Sequence, residues 1–260
     1  MLSIAGSDSG GGAGIQADLK AFAACGVHGT TAITAITAQN TVGVDLIEAI
    51  SPEMIVAQVK AVVDDIGVDA VKIGMLGDRP TIEAVAAGLD LAGGAPVVLD
   101  PVMVSESGAD LLARDAREAL VSRILPRATV VTPNIPEARV ITGLTDADAA
   151  GQPELARAIV GLGARVAVVT GGHSEEMVDL FFDGEREVEI KGEVHPGRSA
   201  HGSGCTHSSA LAACLALGLD PLEAARKARE VASRAVAESL EGIGAGPGPV
   251  NALGLRSHAS

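Results

Sequence analysis

Short apolar runs, each closing on a glycine, a proline or an acid and giving way to a helix-like pattern, recur along this chain. Met1 to Ala5 leads into Gly6-Ser7-Asp8-Ser9-Gly10-Gly11-Gly12-Ala13-Gly14 and then a helix from about Ile15. Val97-Val98-Leu99 leads into Asp100-Pro101-Val102-Met103, and Ala128-Thr129-Val130-Val131 into Thr132-Pro133-Asn134-Ile135-Pro136-Glu137. Strand-like runs that alternate with helices build parallel β-α-β units. The helical period is plain after Pro52, where Ile55, Val59, Val62, Val63 and Ile66 share a face. Asp220-Pro221, a cap followed by a first-turn proline, predicts another helix that reaches about Leu240. Met177–Phe182 and Glu185–Ile190, separated by Asp183-Gly184, predict a hairpin. The first strand has almost no residues before Ala5, which predicts a weak strand edge or a start lying further upstream. No repeat, linker or low-complexity tract divides the 260 residues, so residues 1–260 are expected to form one α/β domain.

Composition excludes several classes of function. A formal net charge of −14 argues against a nucleic acid or an anionic membrane as partner, since both favour a basic face. No apolar run approaches spanning length, and no basic-then-apolar leader opens the chain. Three scattered cysteines make neither a disulfide framework nor a metal spacing. Cys214 shares a helix face with Leu211 and Leu215 and reads as core, while Cys25, just before Gly26, reads as a helix end. A cytoplasmic protein is expected. With three phenylalanines and neither Trp nor Tyr, a flat ligand would pack on aliphatic, sulfur or backbone surfaces.

The chemistry concentrates at His201-Gly202-Ser203-Gly204-Cys205-Thr206, ahead of a helix-like run of small residues. Glycines at a helix mouth let N–H groups face outward, and the unpaired donors of the first turn attract anions. The same field is expected to make Cys205 partly thiolate near neutral pH. Asp100 and Glu137 both follow strand-like runs, where open α/β sheets bind ligands, so they are candidates to hold Mg2+. The glycines of residues 6–14 superficially match a dinucleotide fingerprint. The acid expected about 20 residues on is missing, because Val27 to Ala38 contains no carboxylate. That segment is either a strand-to-helix turn or a loop whose backbone approaches a small ligand. His201, Cys205 and His207 lack a fourth partner for zinc. Lys72 interrupts an apolar stretch and is expected to pair with a carboxylate or to snorkel, with no catalytic role. Gln39 and Asn40 read equally well as turn residues or as ligand contacts, and Asp18 as a first-turn partner of the helix dipole.

Taken in order, these segments resemble the hydroxymethylpyrimidine/phosphomethylpyrimidine kinases of thiamine biosynthesis, in the ribokinase-like superfamily. The matching blocks are AGSDSGGGAGIQADLK (Ala5–Lys20), TAITAQNTVGV (Thr34–Val44), VKIGML (Val71–Leu76), LDPVM with Ser107-Gly108, TPNIPEA (Thr132–Ala138), GGH (Gly171–His173), HGSGCT (His201–Thr206) and GIGAGPGPVN (Gly242–Asn251). The resemblance implies a three-layer α/β/α sandwich around a mainly parallel sheet, and a homodimer. It implies phosphorylation, with ATP and Mg2+, of 4-amino-5-hydroxymethyl-2-methylpyrimidine to the monophosphate and then the diphosphate. By the same likeness, Gln39 bonds the aminopyrimidine edge, and Gly6, Asp18, Met75 and Val102 line its pocket. Gly202, Ser203, Gly204 and Cys205 surround the transferring phosphoryl group, with Cys205 where related sugar kinases carry an aspartate base. Thr170, Gly171, Gly172 and Asn134 approach the nucleotide, and Asp100 and Glu137 the metal.

The chain departs from the family pattern at Thr170, where many members have lysine, and at Ser203, where threonine is commoner. Two rival readings are a pyridoxal or pyridoxine kinase of vitamin B6 salvage, and a catalytically silent pyrimidine-binding module.

Overall fold

The computed structural model describes residues 1–104, 108, 111–145, 150–172 and 177–256. Ser107 and His173 of the matching blocks lie outside the described residues. Along a strand, alternate side chains point to opposite faces, and in this sheet both sets are apolar. Leu2 and Ile4, Val71 and Ile73, Val97 and Leu99, Val131, Ala167 and Val169 belong to one core. Their neighbours Met1, Ala70, Val98, Val130, Val166 and Val168 belong to another. Strands buried on both faces read as continuous apolar runs and need helices above and below.

The elements follow as β1 (Leu2–Asp8), α1 (Gly14–Ala24), β2 (Thr30–Gln39), β3 (Val44–Ala49), α2 (Pro52–Asp65), β4 (Val71–Ile73), α3 (Arg79–Leu91) and β5 (Val97–Leu99). Next come α4 (Ala116–Ala119), which continues through π and 3-10 turns to Arg127, then β6 (Val130–Val131), α5 (Ile135–Thr142), α6 (Gln152–Gly161) and β7 (Val166–Val169). The chain goes on with β8 (Val178–Phe182), β9 (Glu187–Lys191), α7 (Ser203–Ala216) and α8 (Pro221–Ala237). The sheet order is β3-β2-β1-β4-β5-β6-β7-β8-β9. From β2 to β7 every pair is parallel, while β3 at one edge and β8-β9 at the other are antiparallel. Helices α2, α3, α5 and α6 cover the first core, and α1, α7 and α8 the second. The fold is thus the expected α/β/α sandwich around a mainly parallel sheet.

Several boundaries differ from the sequence reading, each for a local reason. β1 runs on to Asp8 and lies between β2 and β4, so its backbone is paired on both sides rather than forming a weak edge. The hairpin turn takes Asp183 to Arg186, because Asp183 Oδ1 accepts the N–H groups of Glu185 (3.1 Å) and Arg186 (2.7 Å). Helix α2 ends at Asp65, which leaves Ile66 57% exposed while Ile55 and Val59 are fully buried. Cys25 caps α1, and Cys214 is buried in the second core.

Because Ile55 is wholly enclosed between α2 and the sheet, Ile55→Ala should cost about 2–5 kcal/mol in urea unfolding. A loss below about 1 kcal/mol would mean that α2 is not part of the cooperative core.

Candidate active site

The strand order reverses at β1, which has β2 on one side and β4 on the other. Crevices at such switch points, beyond the carboxyl ends of parallel strands, are where open α/β sheets bind ligands. One cavity opens there. Gly6 and Asp8 reach it from β1, Gln39 from β2, Met75 from beyond β4, and Asp100 and Val102 from beyond β5. Asn134 and Glu137 reach it after β6, Thr170 and Gly172 after β7, and Gly202, Ser203, Gly204 and Cys205 from the mouth of α7.

Two of the expected residues stand apart. Asp18 is fully buried and does not line the cavity. Its carboxylate is used up beneath the floor, by Ser3 Oγ at 2.6 Å, Ser209 Oγ at 2.7 Å and Lys72 Nζ at 2.8 Å. Gly171 is also buried behind the wall and gives its N–H to Asp179 Oδ1 at 3.0 Å. A Cβ on Gly171 would fall 2.0 Å from Val178 O.

At the α7 mouth two glycines let loops interlock. Gly202 has φ +84, and a Cβ there would stand 1.9 Å from Gly12 O. A Cβ on Gly12 would stand 2.4 Å from the His201 ring. Any side chain at either position would separate the anion loop from the first glycine-rich loop. Ser203 N–H is taken by Ala200 O at 2.9 Å, and Thr206 N–H starts the helical ladder on Gly202 O at 2.9 Å. Of the four N–H groups at this mouth only that of Ser203 is committed among the described residues, which leaves those of Gly202, Gly204 and Cys205 open to an anion. The thiolate expectation for Cys205 also fails. Burial pushes its thiol up to about 12, Lys72 pulls the other way, and Asp100 and Asp18 add to the rise. Desolvation outweighs the Lys72 charge and the Gly14 N–H, and the resting group is a thiol.

Lys72, given no role by the sequence, is the centre of this site's electrostatics. Strand parity turns it and Ser3 toward α1 and α7, away from solvent. Its amine reaches Asp18 at 2.8 Å and Asp100 at 3.8 Å with no exposed surface. Asp18 and Asp100 hold it charged against the pull of burial, the larger opposing influence. Ser208 Oγ lies 2.9 Å from Asp100 Oδ2, so α7 is hydrogen-bonded to both carboxylates.

Asn134 and Glu137 form a reciprocal helix cap on α5, with bonds of 2.8 and 2.9 Å. Burial, reinforced by the Asp100 charge, pushes the Glu137 carboxyl up to about 8. Asp100 is raised too, chiefly by burial. Two carboxyls that disfavour each other's ionisation at the wall of one cavity fit a cation between them and phosphate oxygens. Among the described residues no group of three or more His, Cys, Asp and Glu side chains is arranged to hold a metal ion. Further ligands at Asp100 and Glu137 would then come from substrate and water.

The first glycine-rich loop is organised by a residue the sequence reading passed over. Asp8 Oδ1 accepts from Gly10 N–H at 2.7 Å, and Oδ2 from Gly12 at 2.9 Å and Ala13 at 2.8 Å. An acid followed by glycines is the signal for such a side-chain-to-backbone turn. Gln39 is held by its backbone, with its N–H on Ser9 Oγ at 2.8 Å and its carbonyl accepting from Ser9 at 2.6 Å. Thr37 Oγ1 meets Gln39 Oε1 at 3.2 Å, which leaves the amide NH2 without a partner among the described residues. Asn40 is a turn residue, its Oδ1 accepting from Val42 and Gly43.

A sequence model described as phosphomethylpyrimidine kinase matches residues 8–251. The chain is 52% identical, over 96% of its length and 95% of the relative's, to the hydroxymethylpyrimidine/phosphomethylpyrimidine kinase of Rhizobium meliloti. Among solved structures it is similar to an ADP complex of Bacillus subtilis pyridoxal kinase, with TM-score 0.87, 39% identity and 98% of both chains covered. It is also similar to a phosphomethylpyrimidine kinase from Clostridium difficile 630, with TM-score 0.76, 41% identity, and 88% of this chain and 95% of that one covered.

The Glu137 shift gives a stability signature. Its carboxyl rises from the usual 4.5 to about 8 on folding. Between those values the folded state holds the extra proton, so stability falls as pH rises from about 5 to 8. In metal-free buffer, Glu137→Gln, which keeps an acceptor for the cap, should flatten that fall. Urea unfolding curves of equal slope against pH for the two proteins would show that Glu137 is not raised.

Proposed function

The chain belongs to the phosphomethylpyrimidine kinase family, and on that premise we propose how its cavity works. It is a kinase of thiamine biosynthesis that phosphorylates 4-amino-5-hydroxymethyl-2-methylpyrimidine to the monophosphate and then the diphosphate. The observation that carries the reading of the site is a convergence at one switch-point cavity. The α7 mouth, two carboxylates and the amide of Gln39 line the same space.

In the first step the hydroxymethyl oxygen bonds to the γ-phosphorus of ATP as the bond to the ADP oxygen breaks, and the hydroxyl proton is released to solvent. Gln39 holds the aminopyrimidine edge, since an amide both donates and accepts. Gly6, Met75 and Val102 pack against the ring. The Gly202, Gly204 and Cys205 N–H groups meet the transferring phosphoryl oxygens, where electrostatic stabilisation does most of the work. Asp100 and Glu137 would hold Mg2+, which supplies charge neutralisation of the phosphates. Cys205, a thiol at rest, orients the acceptor hydroxyl. A loose transition state places little demand on a base. Thr170, Gly172 and Asn134 border the nucleotide, and the recess beside Thr170, lined by Met177, Ala232 and Val236, suits an adenine face.

The same reading extends to the whole molecule. One sheet takes strands from Leu2 to Lys191, which supports residues 1–260 acting as a single kinase domain. A cytoplasmic setting is supported by three free cysteines and by the absence, among the described residues, of a helix long and apolar enough to cross a membrane. Homodimer formation is supported by the edge strand β3, where Leu46 and Ile47 are 73% and 44% exposed beside Ile36 of β2. A single-chain mass in sedimentation at micromolar concentration would overturn it.

The likeness to a protein described as pyridoxal kinase keeps a second substrate in view. Purified protein given MgATP, the hydroxymethylpyrimidine and competing pyridoxine should yield pyrimidine mono- and diphosphate by mass spectrometry. Phosphorylated pyridoxine alone would move the activity to vitamin B6 and make the Gln39 assignment wrong. Binding without ADP release would make the chain a silent module. Cys205→Ala should slow the first transfer roughly 10- to 100-fold, short of the full effect of a general base. The second transfer, whose acceptor is already an anion, should lose much less. Equal losses in both steps would remove the orienting role.

A further inference from the structure

The transfer cavity is poor in cations for a site that takes a nucleoside triphosphate. Among the described residues lining it, Lys72 is the only lysine or arginine, and Asp18 already holds its amine. Asp8, Asp100 and Glu137 bring only carboxyl groups to the same wall, and Thr170 offers only a hydroxyl.

One polar side chain there has no structural use. His207, two residues beyond Cys205 on α7, is 4% exposed and lines both the cavity and the recess beside Thr170 and Gly172. Among the described residues neither ring nitrogen has a hydrogen-bond partner. Nε2 stands 3.5 Å from Asp179 Oδ2, which is itself without one. Asp179 on β8 is fully buried and fixed through its other oxygen, by Gly171 N–H at 3.0 Å and near Arg229 Nη1 of α8 at 3.4 Å. A buried imidazole with both nitrogens unpaired costs stability that an apolar side chain of similar size would not. Natural sequences retain such local conflicts mainly at functional sites.

We propose that His207 bridges Asp179 and a phosphate oxygen of the bound nucleoside triphosphate, donating from both ring nitrogens. This rests on the kinase reading above. Burial holds the ring below its ordinary pKa, with Arg229 adding to that effect and Asp179 and Asp100 opposing it. Only the imidazolium donates from both nitrogens, so nucleotide binding takes up one proton from solvent. No proton passes to the reacting atoms, and His207 acts by holding the phosphate chain. The loop that carries Gly171 and Gly172 is tied to the same carboxylate, so Asp179 serves as the fixed post for both.

The test is calorimetry of AMP-PCP with Mg2+ near neutral pH in two buffers of different ionisation enthalpy, on the wild type, His207→Leu and His207→Gln. Steady-state kinetics accompany it. The wild type should take up a proton on binding and the leucine variant should not. His207→Leu should raise the KM for ATP on the order of 10-fold, as loss of a charge-assisted hydrogen bond does. Its pyrimidine KM should stay within about twofold and its melting temperature should not fall. His207→Gln, which keeps one donor, should lie between.

Unchanged proton uptake and ATP KM in His207→Leu overturn the inference while leaving the kinase intact. A wild type that binds AMP-PCP with His207-dependent uptake yet transfers nothing overturns the kinase reading and keeps the bridge. A wild type that does not bind the nucleotide overturns both.

Discussion

The buried pair of Lys72 and Asp18 is the interaction on which the site depends. Two opposite charges with no exposed surface, 2.8 Å apart, sit where the sheet meets α1 and α7. Taking them out of water is costly, and a buried pair of this kind is tolerable only when its remaining valences are satisfied. They are, by Ser3 of β1, Ser209 of α7 and the more distant Asp100 after β5. Ser208 closes the network from α7 to Asp100. The helix whose first turn faces the phosphates is thereby locked to the carboxylate beside them. A catalytic constellation needs its parts held to within about half an ångström, and apolar packing alone, being non-directional, does not provide that.

Around this network the cavity is rich in carboxyl groups and poor in cations among its described residues. Asp100 and Glu137 are both raised, and Cys205 is pushed up with them. A site of this kind calls for a cation near the carboxylates and for donors near the phosphates. MgATP brings the first with it. The α7 mouth and the cavity's neutral donors must supply the second, and that division explains how a chain of net charge −14 accommodates a polyanionic substrate.

Much of this was legible in the residues. The apolar runs and their glycine, proline and acidic ends marked the strands and the edge of the sheet where ligands bind. The ordered motifs from Ala5 to Asn251 pointed to one family, and most of the residues they singled out do line one cavity. The residues whose surroundings differ from what their motifs suggest share a cause. Asp18, Gly171, the Ser203 N–H and the Cys205 thiol were each assigned from their position in a motif. Their partners, Lys72 and Ser209, Asp179, Ala200 and a desolvated pocket, come from distant or differently folded segments.

The sequence by itself determined the layers and the elements. Hydrophobic period, caps and turn residues are local, and both-face apolar strands admit no arrangement except helices above and below. Only the tertiary structure decided the charges. Whether Lys72 snorkels or pairs, whether Cys205 is thiolate or thiol, and whether His207 has a partner depend on burial and on residues as much as 191 positions apart, as Ser209 is from Asp18. Desolvation and Coulomb interaction act through space, so no window of sequence contains them.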